Sequence, residues 1–268
     1  MTQTGNDFEA SAIRFGYDSK SLLLDNISLV VARNCATVLG GANGTGKSTL
    51  LKILARQLKP LSGEVKLGGA DTRSMSPEEF ARQVAYVPQS LELNTHLTVE
   101  ELVMLGRNPH QQWWSWHASD KDKDTVLKAL ERTELNKLRS RAITTLSGGE
   151  LKRAMIATAL AQETPFILLD EPVAHLDFKH QLSLLSLIVE LKNSGLGILI
   201  VLHDLNMIER VADHVVLLKK DENGLSRIAL SGARDQILSD KNIEDVFEVK
   251  TNILKDESGR RFFALVGM

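Results

Sequence analysis

One short segment constrains this chain more than any other feature, because it matches the pattern G-x-x-x-x-G-K-S/T. The segment, called the phosphate loop below, comprises Gly41, Ala42, Asn43, Gly44, Thr45, Gly46, Lys47 and Ser48. A strand-like stretch precedes it, and a helix-like stretch, predicted over residues 48–57, follows it. Glycines let the backbone amides turn toward phosphate oxygens, and the helix N-terminus adds partial positive charge. A glycine-rich turn that only caps a helix is the alternative; the context favours a nucleoside triphosphate site.

The rest of the chain predicts an α/β fold with a helical insertion. Apolar stretches at residues 27–31, 36–39, 84–87, 166–169 and 198–202 are typical of strands, and the last two suit a parallel sheet covered on both faces. Thr98 and Glu101 form a capping-box pattern before a segment with helical spacing. Asn223-Gly224 predicts a hairpin turn, and residues 243–247 predict a final helix.

Composition narrows the class of protein. The chain has 268 residues, and its 32 Lys and Arg against 34 Asp and Glu give a net charge of −2. No basic excess exists to bind a nucleic-acid backbone. The apolar runs are far shorter than the ~20 residues of a membrane-spanning helix. The first ten residues lack a signal-peptide pattern. We therefore expect a cytoplasmic protein with no span of its own and no nucleic-acid partner.

Two carboxylates, Asp170 and Glu171, end the apolar stretch at residues 166–169. Neighbouring strand residues point to opposite faces, so the two should have different roles. An acidic turn before Pro172 is the alternative. Gln89 and His203 also follow strand-like stretches, and ligands gather at the carboxyl ends of parallel strands. The sequence therefore predicts a polar cluster beside the phosphate loop.

A second phosphate contact is predicted at Ser147, Gly148, Gly149 and Glu150, directly before an alanine-rich helix. Ser147 and Glu150 fit a capping box, which is the simpler interpretation. The two glycines remain unexplained by it, since each weakens a helix by up to about 1 kcal/mol relative to alanine. They indicate that another group approaches the backbone at this helix N-terminus closely.

With these motifs the chain resembles the ATP-binding subunits of ABC transporters over nearly its whole length. The resemblance implies a RecA-like P-loop NTPase core at about residues 1–90 and 162–268, with an antiparallel β subdomain. It implies an ABC-type α-helical subdomain at about residues 91–161. The sequence L-S-G-G-E at residues 146–150 is similar to the family's signature motif L-S-G-G-Q, with Glu150 in place of glutamine. Since Glu caps a helix as Gln does, we expect this departure to be tolerated.

The resemblance also implies a role for each candidate residue. The phosphate loop with Thr49 binds ATP, and Tyr17 lies under the adenine ring, unless it is an ordinary strand aromatic. Ser48, Gln89 and Asp170 hold Mg²⁺, while Glu171 acts as general base.

Further roles follow for residues near the γ-phosphate. His203 contacts the γ-phosphate, and Gln89 connects the ATP site to the helical subdomain. Ser147 to Glu150 cover the γ-phosphate held by a second copy of the chain. Asp177 crosses between the copies, and His175 stands where the family commonly has a small residue.

One phosphate loop and one signature motif per chain imply an ATP-binding homodimer. The family then implies permease subunits in the inner membrane and, indirectly, a substrate-binding protein. Short sequence segments at residues 105–107, 109–110 and 201–206, with the tail near residues 262–263, resemble those of ATPases that import iron siderophores, haem and cobalamin. Iron siderophore is the first expectation.

Two other classes of protein also contain a phosphate loop of this kind. A soluble ABC machine acting on a cytosolic partner would share every nucleotide motif. A P-loop kinase or GTPase would share the phosphate loop, but the combination of the signature sequence, Gln89 and His203 is not expected in that class. Trp113, Trp114 and Trp116 fit either a permease contact or a satellite apolar cluster, and the charged residues 120–124 fit a solvated helix start. Residues 250–268 carry no motif.

Overall fold

The structure, a computed structural model, describes residues 7–18, 21–90, 96–111, 118–257 and 259–267. The three tryptophans lie outside these ranges. The described residues form two compact units. The first unit contains residues up to Ser74 together with those from Lys192 onward, and the second contains Met75–Leu191. The division into a core and a helical subdomain drawn from the sequence stays a prediction.

The strands, in chain order, are β1 (Phe8–Phe15), β2 (Leu24–Val31), β3 (Ala36–Gly41), β4 (Ser62–Leu67), β5 (Ala70–Asp71), β6 (Val84–Val87), β7 (Phe166–Asp170), β8 (Gly197–Val201), β9 (His214–Lys220), β10 (Ser226–Ala233), β11 (Lys250–Lys255) and β12 (Arg261–Gly267). The α-helices are α1 (Lys47–Leu54), α2 (Pro77–Ala81), α3 (Val99–Met104), α4 (Asp120–Arg132), α5 (Gly148–Ala161), α6 (Phe178–Asn193), α7 (Leu205–Val211), α8 (Arg234–Ile237) and α9 (Asp240–Phe247). Short 3₁₀ turns include Leu105–His110.

The first unit is built on a mixed sheet with the strand order β5-β4-β1-β2-β10-β9-β3-β8. All six residues of β3 are buried, and β3 pairs in parallel with β8 on one side and β9 on the other. The predicted hairpin is confirmed: β9 and β10 pair antiparallel, with Gly224 at φ +76° in the turn. β11 and β12 form a separate antiparallel pair in the tail, which carried no sequence motif.

The second unit combines a parallel strand pair with a helical core. β6 and β7 pair in parallel from Val84↔Phe166 to Val87↔Leu169. The helical core is formed by buried apolar side chains of α3, α4 and α5, among them Val103, Leu130 and Ala157. Thr98 and Glu101 form the predicted reciprocal capping box at the start of α3.

Two local features differ from the sequence predictions for physical reasons. The helix expected over residues 48–57 ends at Leu54, because Arg56 takes a left-handed φ of +59°. β1 was not predicted, because its pairing with β2 shifts register on both sides of Ile13 and Ala12 takes φ +51°. These irregularities break the period-two alternation that indicates a strand.

The interpretation of residues 120–124 as a solvated helix start is wrong for Asp122. This residue is 7% exposed, and its Oδ1 accepts a hydrogen bond of 2.8 Å from Nε of Arg107. The Arg107 guanidinium, 2% exposed, also donates to the Ala161 carbonyl and to Glu163, each at 2.7 Å. One buried arginine therefore connects the 3₁₀ turn, the start of α4 and the end of α5.

Arg107→Met is expected to lower the free energy of unfolding by about 3–5 kcal/mol, because it leaves the Asp122 carboxylate buried without its cation. Urea unfolding followed by circular dichroism measures this. The matched control is Arg73→Met, whose ion pair with Asp71 is exposed and should be worth at most about 1 kcal/mol. Equal losses in the two variants would contradict the buried network.

The same variant should show a defined pH dependence. Burial alone would raise the pKa of Asp122, but hydrogen bonds from Arg107 and Ser119 outweigh burial and lower that pKa. A lowered folded-state pKa stabilises the fold above the unfolded value of about 3.9 and loses that effect as the pH falls. The difference between wild type and Arg107→Met should therefore be full at pH 7 and shrink in acid.

Candidate functional site

The phosphate loop of the first unit leaves the sheet directly from β3 and enters α1. A Cβ added to Gly41 would lie 2.3 Å from the Leu218 carbonyl oxygen of β9, so no other residue fits there without shifting the strand. Gly46 caps α1 with a left-handed φ of +82°. Both positions therefore require glycine, and the loop backbone turns as the sequence predicted.

The charged and hydroxyl side chains of this loop fold back onto its start. Nζ of Lys47, a residue only 5% exposed, donates to the carbonyls of Gly41 and Ala42 at 2.9 and 2.8 Å. The hydroxyl of Thr45 also donates to the Ala42 carbonyl, at 2.9 Å. The loop thus holds a buried ammonium beside the helix N-terminus, which is the electrostatic arrangement of an anion site.

Tyr17 lies against the same helix. Its hydroxyl is 2.9 Å from the hydroxyl of Thr49 in α1, and its ring packs edge-on against Phe15 at 5.1 Å between centroids. The residue is nevertheless 67% exposed. An aromatic ring that is fixed at its hydroxyl and open on its remaining surface can stack on a planar ligand.

His203 lies at the carboxyl end of β8, next to the carboxyl end of β3. Leu39 and Val201 are paired in parallel, and Gly41 and His203 each follow that pair by two residues. His203 is exposed, and Asp204 caps α7 by accepting from the Met207 amide at 2.9 Å. The sequence prediction that places His203 and the phosphate loop at one sheet edge therefore matches the strand register.

The second unit brings together Gln89, Asp170 and Glu171. Each of Gln89 and Glu171 follows the paired residues Val87 and Leu169 by two positions, and Nε2 of Gln89 donates to Oε2 of Glu171 at 2.9 Å. Glu171 takes a left-handed φ of +44°, which is uncommon for a residue with a side chain. Such strained residues cluster at functional sites.

Asp170 is a buried carboxylate with a tyrosine neighbour. It is 3% exposed, and the Tyr86 hydroxyl donates a long hydrogen bond of 3.4 Å to its Oδ2. Burial, the charge of Asp170 and this bond raise the pKa of Tyr86 well above its usual range. Tyr86 therefore stays protonated as a donor. Sequence reasoning did not identify Tyr86, although it lies in the predicted strand before Gln89.

Lys152 of α5 is a second residue that sequence reasoning missed. Its residue exposure is 9%, and Nζ donates to the backbone carbonyl of Gln89. Burial lowers the pKa of Lys152, while the carboxylates of Asp170 and Glu171 oppose that shift. A lysine amid apolar helix residues usually extends to solvent, so no local pattern indicated this contact.

The start of α5 is closed by the predicted capping box. The Glu150 amide donates to Oγ of Ser147 at 3.3 Å, and Oε2 of Glu150 accepts from the Ser147 amide at 2.8 Å. The bonds from the Ser147 amide and hydroxyl, with a smaller contribution from Arg141, lower the pKa of Glu150. Glutamate therefore makes the reciprocal cap that glutamine would make.

Asp177 and His175 lie in the turns before α6. Oδ1 of Asp177 accepts from the backbone amide and from Nδ1 of His180, at 2.9 and 2.8 Å. His175 is exposed with a left-handed φ of +63°, a conformation in which histidine is enriched among residues with side chains. His180 is a third residue that the sequence analysis did not select.

Comparison with known proteins decides the family. The profile of the family described as "ABC transporter" matches residues 24–174. The chain belongs to the ABC transporter family. It is 40% identical to the achromobactin transport ATP-binding protein of Dickeya dadantii, covering 91% of this chain and 88% of that protein. It is 38% identical to the petrobactin import ATP-binding protein of Bacillus anthracis, over 88% and 85%.

Solved structures agree on the fold. A structure of an ATP-binding subunit of an ABC transporter superposes with a TM-score of 0.72 at 30% identity, over 86% of this chain and 91% of that one. The predicted α/β P-loop fold is therefore confirmed, as are nucleotide binding and ATP hydrolysis coupled to transport. No helix among the described residues is long and apolar enough to cross a membrane.

The reciprocal cap predicts how this ABC ATPase tolerates changes at position 150. Glu150→Gln should leave the free energy of unfolding within about 0.5 kcal/mol of wild type, because glutamine closes the same box. Glu150→Ala removes the bond to the Ser147 amide and should cost about 1 kcal/mol. Urea unfolding of both variants checks this; equal losses would show that the box does not stabilise α5.

Proposed function

We propose that this chain is the ATP-binding and ATP-hydrolysing subunit of an importer for iron(III)–siderophore complexes. The observation that carries the cargo assignment is the pair of curated relatives named for achromobactin transport and petrobactin import, each matched over more than four-fifths of both chains. Haem and cobalamin rank next as cargo. The nucleotide motifs themselves do not read the cargo, which the binding protein and permease recognise.

In this proposal the first unit binds ATP. The amides of residues 41–48 and the Lys47 ammonium bind the phosphates, and Thr49 belongs to the same helix start. Tyr17 stacks on the adenine ring. The buried position of Lys47 and the 2.9 Å contact between Tyr17 and Thr49 support these roles. Base preference from stacking alone is modest, so specificity rests mainly on the phosphates.

We assign hydrolysis to Glu171, Gln89 and His203. Glu171 polarises the attacking water as general base, and the 2.9 Å bond from Gln89 orients its carboxylate. His203 donates to the γ-phosphate. Because the bond from Gln89 engages only one carboxylate oxygen of Glu171, the base retains acceptor capacity on the other.

Each side chain that the resemblance assigns to Mg²⁺ offers an oxygen atom of the kind that this ion prefers. The donors are the Ser48 hydroxyl, the Gln89 amide oxygen and the Asp170 carboxylate, which is buried at 3% exposure. Mg²⁺ in nucleotide sites takes one or two carboxylates together with substrate phosphates. When bound, the ion would neutralise phosphate charge. Since Nε2 of Gln89 donates to Glu171, its Oε1 is the atom that suits a cation.

Two copies of the chain form the working unit in this proposal. Ser147, Gly148, Gly149 and Glu150 of one copy cover the γ-phosphate bound by the phosphate loop of the other, and Asp177 lies at their boundary. ATP drives closure because it binds the closed dimer more tightly, and a ligand shifts an equilibrium only by that difference. Closure reconfigures permease subunits, which hold the dimer at the cytoplasmic face of the inner membrane; a substrate-binding protein delivers the cargo to the permease.

The chemistry is tested with Glu171→Gln and Lys47→Ala. Glu171→Gln should bind ATP at wild-type affinity yet hydrolyse it about 10²–10⁴-fold more slowly, because it removes the general base. Lys47→Ala should lose ATP binding, because the phosphates lose their buried cation. Isothermal titration and phosphate release measure the two properties. Wild-type turnover in either variant would contradict the assigned roles.

Cargo and partners are tested with tagged Glu171→Gln protein and Mg-ATP. Detergent-solubilised membranes and cytosol of the source cell are each passed over the tagged protein, and bound proteins are identified by mass spectrometry. A many-span permease in the membrane fraction is the expected result, and deletion of its gene should lower uptake of ⁵⁵Fe-siderophore. Recovery of soluble proteins alone would favour a soluble ABC machine; uptake loss for haem or cobalamin instead would reassign the cargo.

A further inference from the structure

The two glycines of the signature sequence have different neighbours. A Cβ added to Gly148 would meet only Cδ2 of Leu176 at 3.8 Å, an ordinary contact. A Cβ added to Gly149 would lie 2.8 Å from Cδ2 and 3.0 Å from Cγ of His180. The group that approaches the backbone of Gly149 is therefore an imidazole from the same chain, and the space beside Gly148 is the open one.

The imidazole of His180 is fixed by Asp177. Hydrogen bonds from the backbone amide of His180 and, second, from its ring stabilise the ionised carboxylate of Asp177. They therefore lower the pKa of Asp177. An ionised carboxylate only accepts hydrogen bonds, so Nδ1 of His180 carries the hydrogen and donates to Oδ1 over 2.8 Å. The ring therefore has one orientation relative to the loop that carries Asp177.

From this geometry we infer that His180 is a positioning residue that couples Asp177 to the first turn of α5. This inference rests on the proposed function, in which the first turn of α5 covers a phosphate and Asp177 lies at the dimer boundary. Any displacement of Asp177 carries the imidazole with it. Because the ring is in contact with Gly149, the first turn of α5 follows, and its amides move relative to the phosphate.

Burial does not account for the position of the ring. The His180 side chain is 40% exposed, so it contributes little to an apolar core. Its contacts include the carboxylate of Asp177 and the backbone side of Gly149. The bond to Asp177, more than apolar burial, therefore sets the position of the ring.

The coupling is tested by asking whether His180→Ala relieves the effect of Gly149→Ala on kcat. Gly149→Ala adds a methyl group that collides with the imidazole and should lower kcat by about ten- to a hundredfold, because it misplaces the signature amides. His180→Ala removes both the ring and the link and should lower kcat by about three- to tenfold. In the double variant the methyl group has space, so adding Gly149→Ala should change kcat by less than about twofold.

His180→Asn separates the link from general packing. Asparagine retains an N–H donor near the position of Nδ1, so it should restore kcat to within about threefold of wild type. In every variant the backbone amide of residue 180 still donates to the Asp177 carboxylate, which caps the start of α6, so the melting temperature should stay near the wild-type value. The affinity of the chain's own phosphate loop for Mg-ATP, measured by isothermal titration, should not change, because Lys47 and Tyr17 are intact. All measurements use the full-length chain, and kcat comes from steady-state phosphate release.

Each result decides the inference. If Gly149→Ala lowers kcat by the same factor in the wild-type chain and in the His180→Ala variant, the inference is overturned, because the methyl group would then collide with something other than the ring. Wild-type kcat in His180→Ala, or a His180→Asn variant as slow as His180→Ala, would overturn it as well. Failure of the proposed function would give a different result: the wild-type chain would not bind Mg-ATP in isothermal titration.

Discussion

Parallel pairing of β3 with both β8 and β9 fixes the place at which the phosphate loop leaves the sheet. A strand held on two sides cannot move along or out of the sheet without breaking two ladders. At Gly41 the backbone of β9 approaches so closely that a single methyl group would lie 2.3 Å from the Leu218 oxygen. The loop therefore begins at one defined point, and α1 starts directly after its left-handed cap at Gly46. His203 takes its place from the same register, since it follows the strand that pairs with β3.

In the second unit, too, paired parallel strands bring together the polar residues that follow them. β6 and β7 end together, and the residues two positions later are close enough for Gln89 to bond Glu171. Glu171 takes φ +44°, a conformation that costs on the order of 1–3 kcal/mol. Gln89 donates to the Glu171 carboxylate, and the Gln89 carbonyl in turn accepts from Lys152. The Glu171 side chain is thus fixed by Gln89, and Gln89 is fixed by Lys152.

Sequence reasoning predicted the regular elements that end in polar motifs, and the reason is visible in the structure. The strand at residues 84–87 was predicted at its observed bounds, because it is short, apolar and followed by proline. Irregular elements were missed: bulges in β1 break its alternation, and β11 and β12 carry mixed polar and apolar residues. Within the candidate site, motif residues were found by spacing, whereas Tyr86, Lys152 and His180 were not. Their contacts join segments far apart in sequence or depend on a rotamer, and neither is encoded in a local pattern.

The turns before α5, α6 and α7 are each closed by the same kind of side-chain cap. Ser147, Asp177 and Asp204 each accept a hydrogen bond from the backbone amide three residues later, so each side chain closes the start of the following helix. A residue that already caps its own helix has little rotamer freedom left to lose when a ligand or a second copy arrives. The capping bonds that form these helices therefore also preorganise the turns to which the proposed function assigns contacts with the phosphate or with the second copy. This accounts for why Glu150 serves where the family has glutamine: the cap needs a reciprocal acceptor, and the carboxylate supplies it.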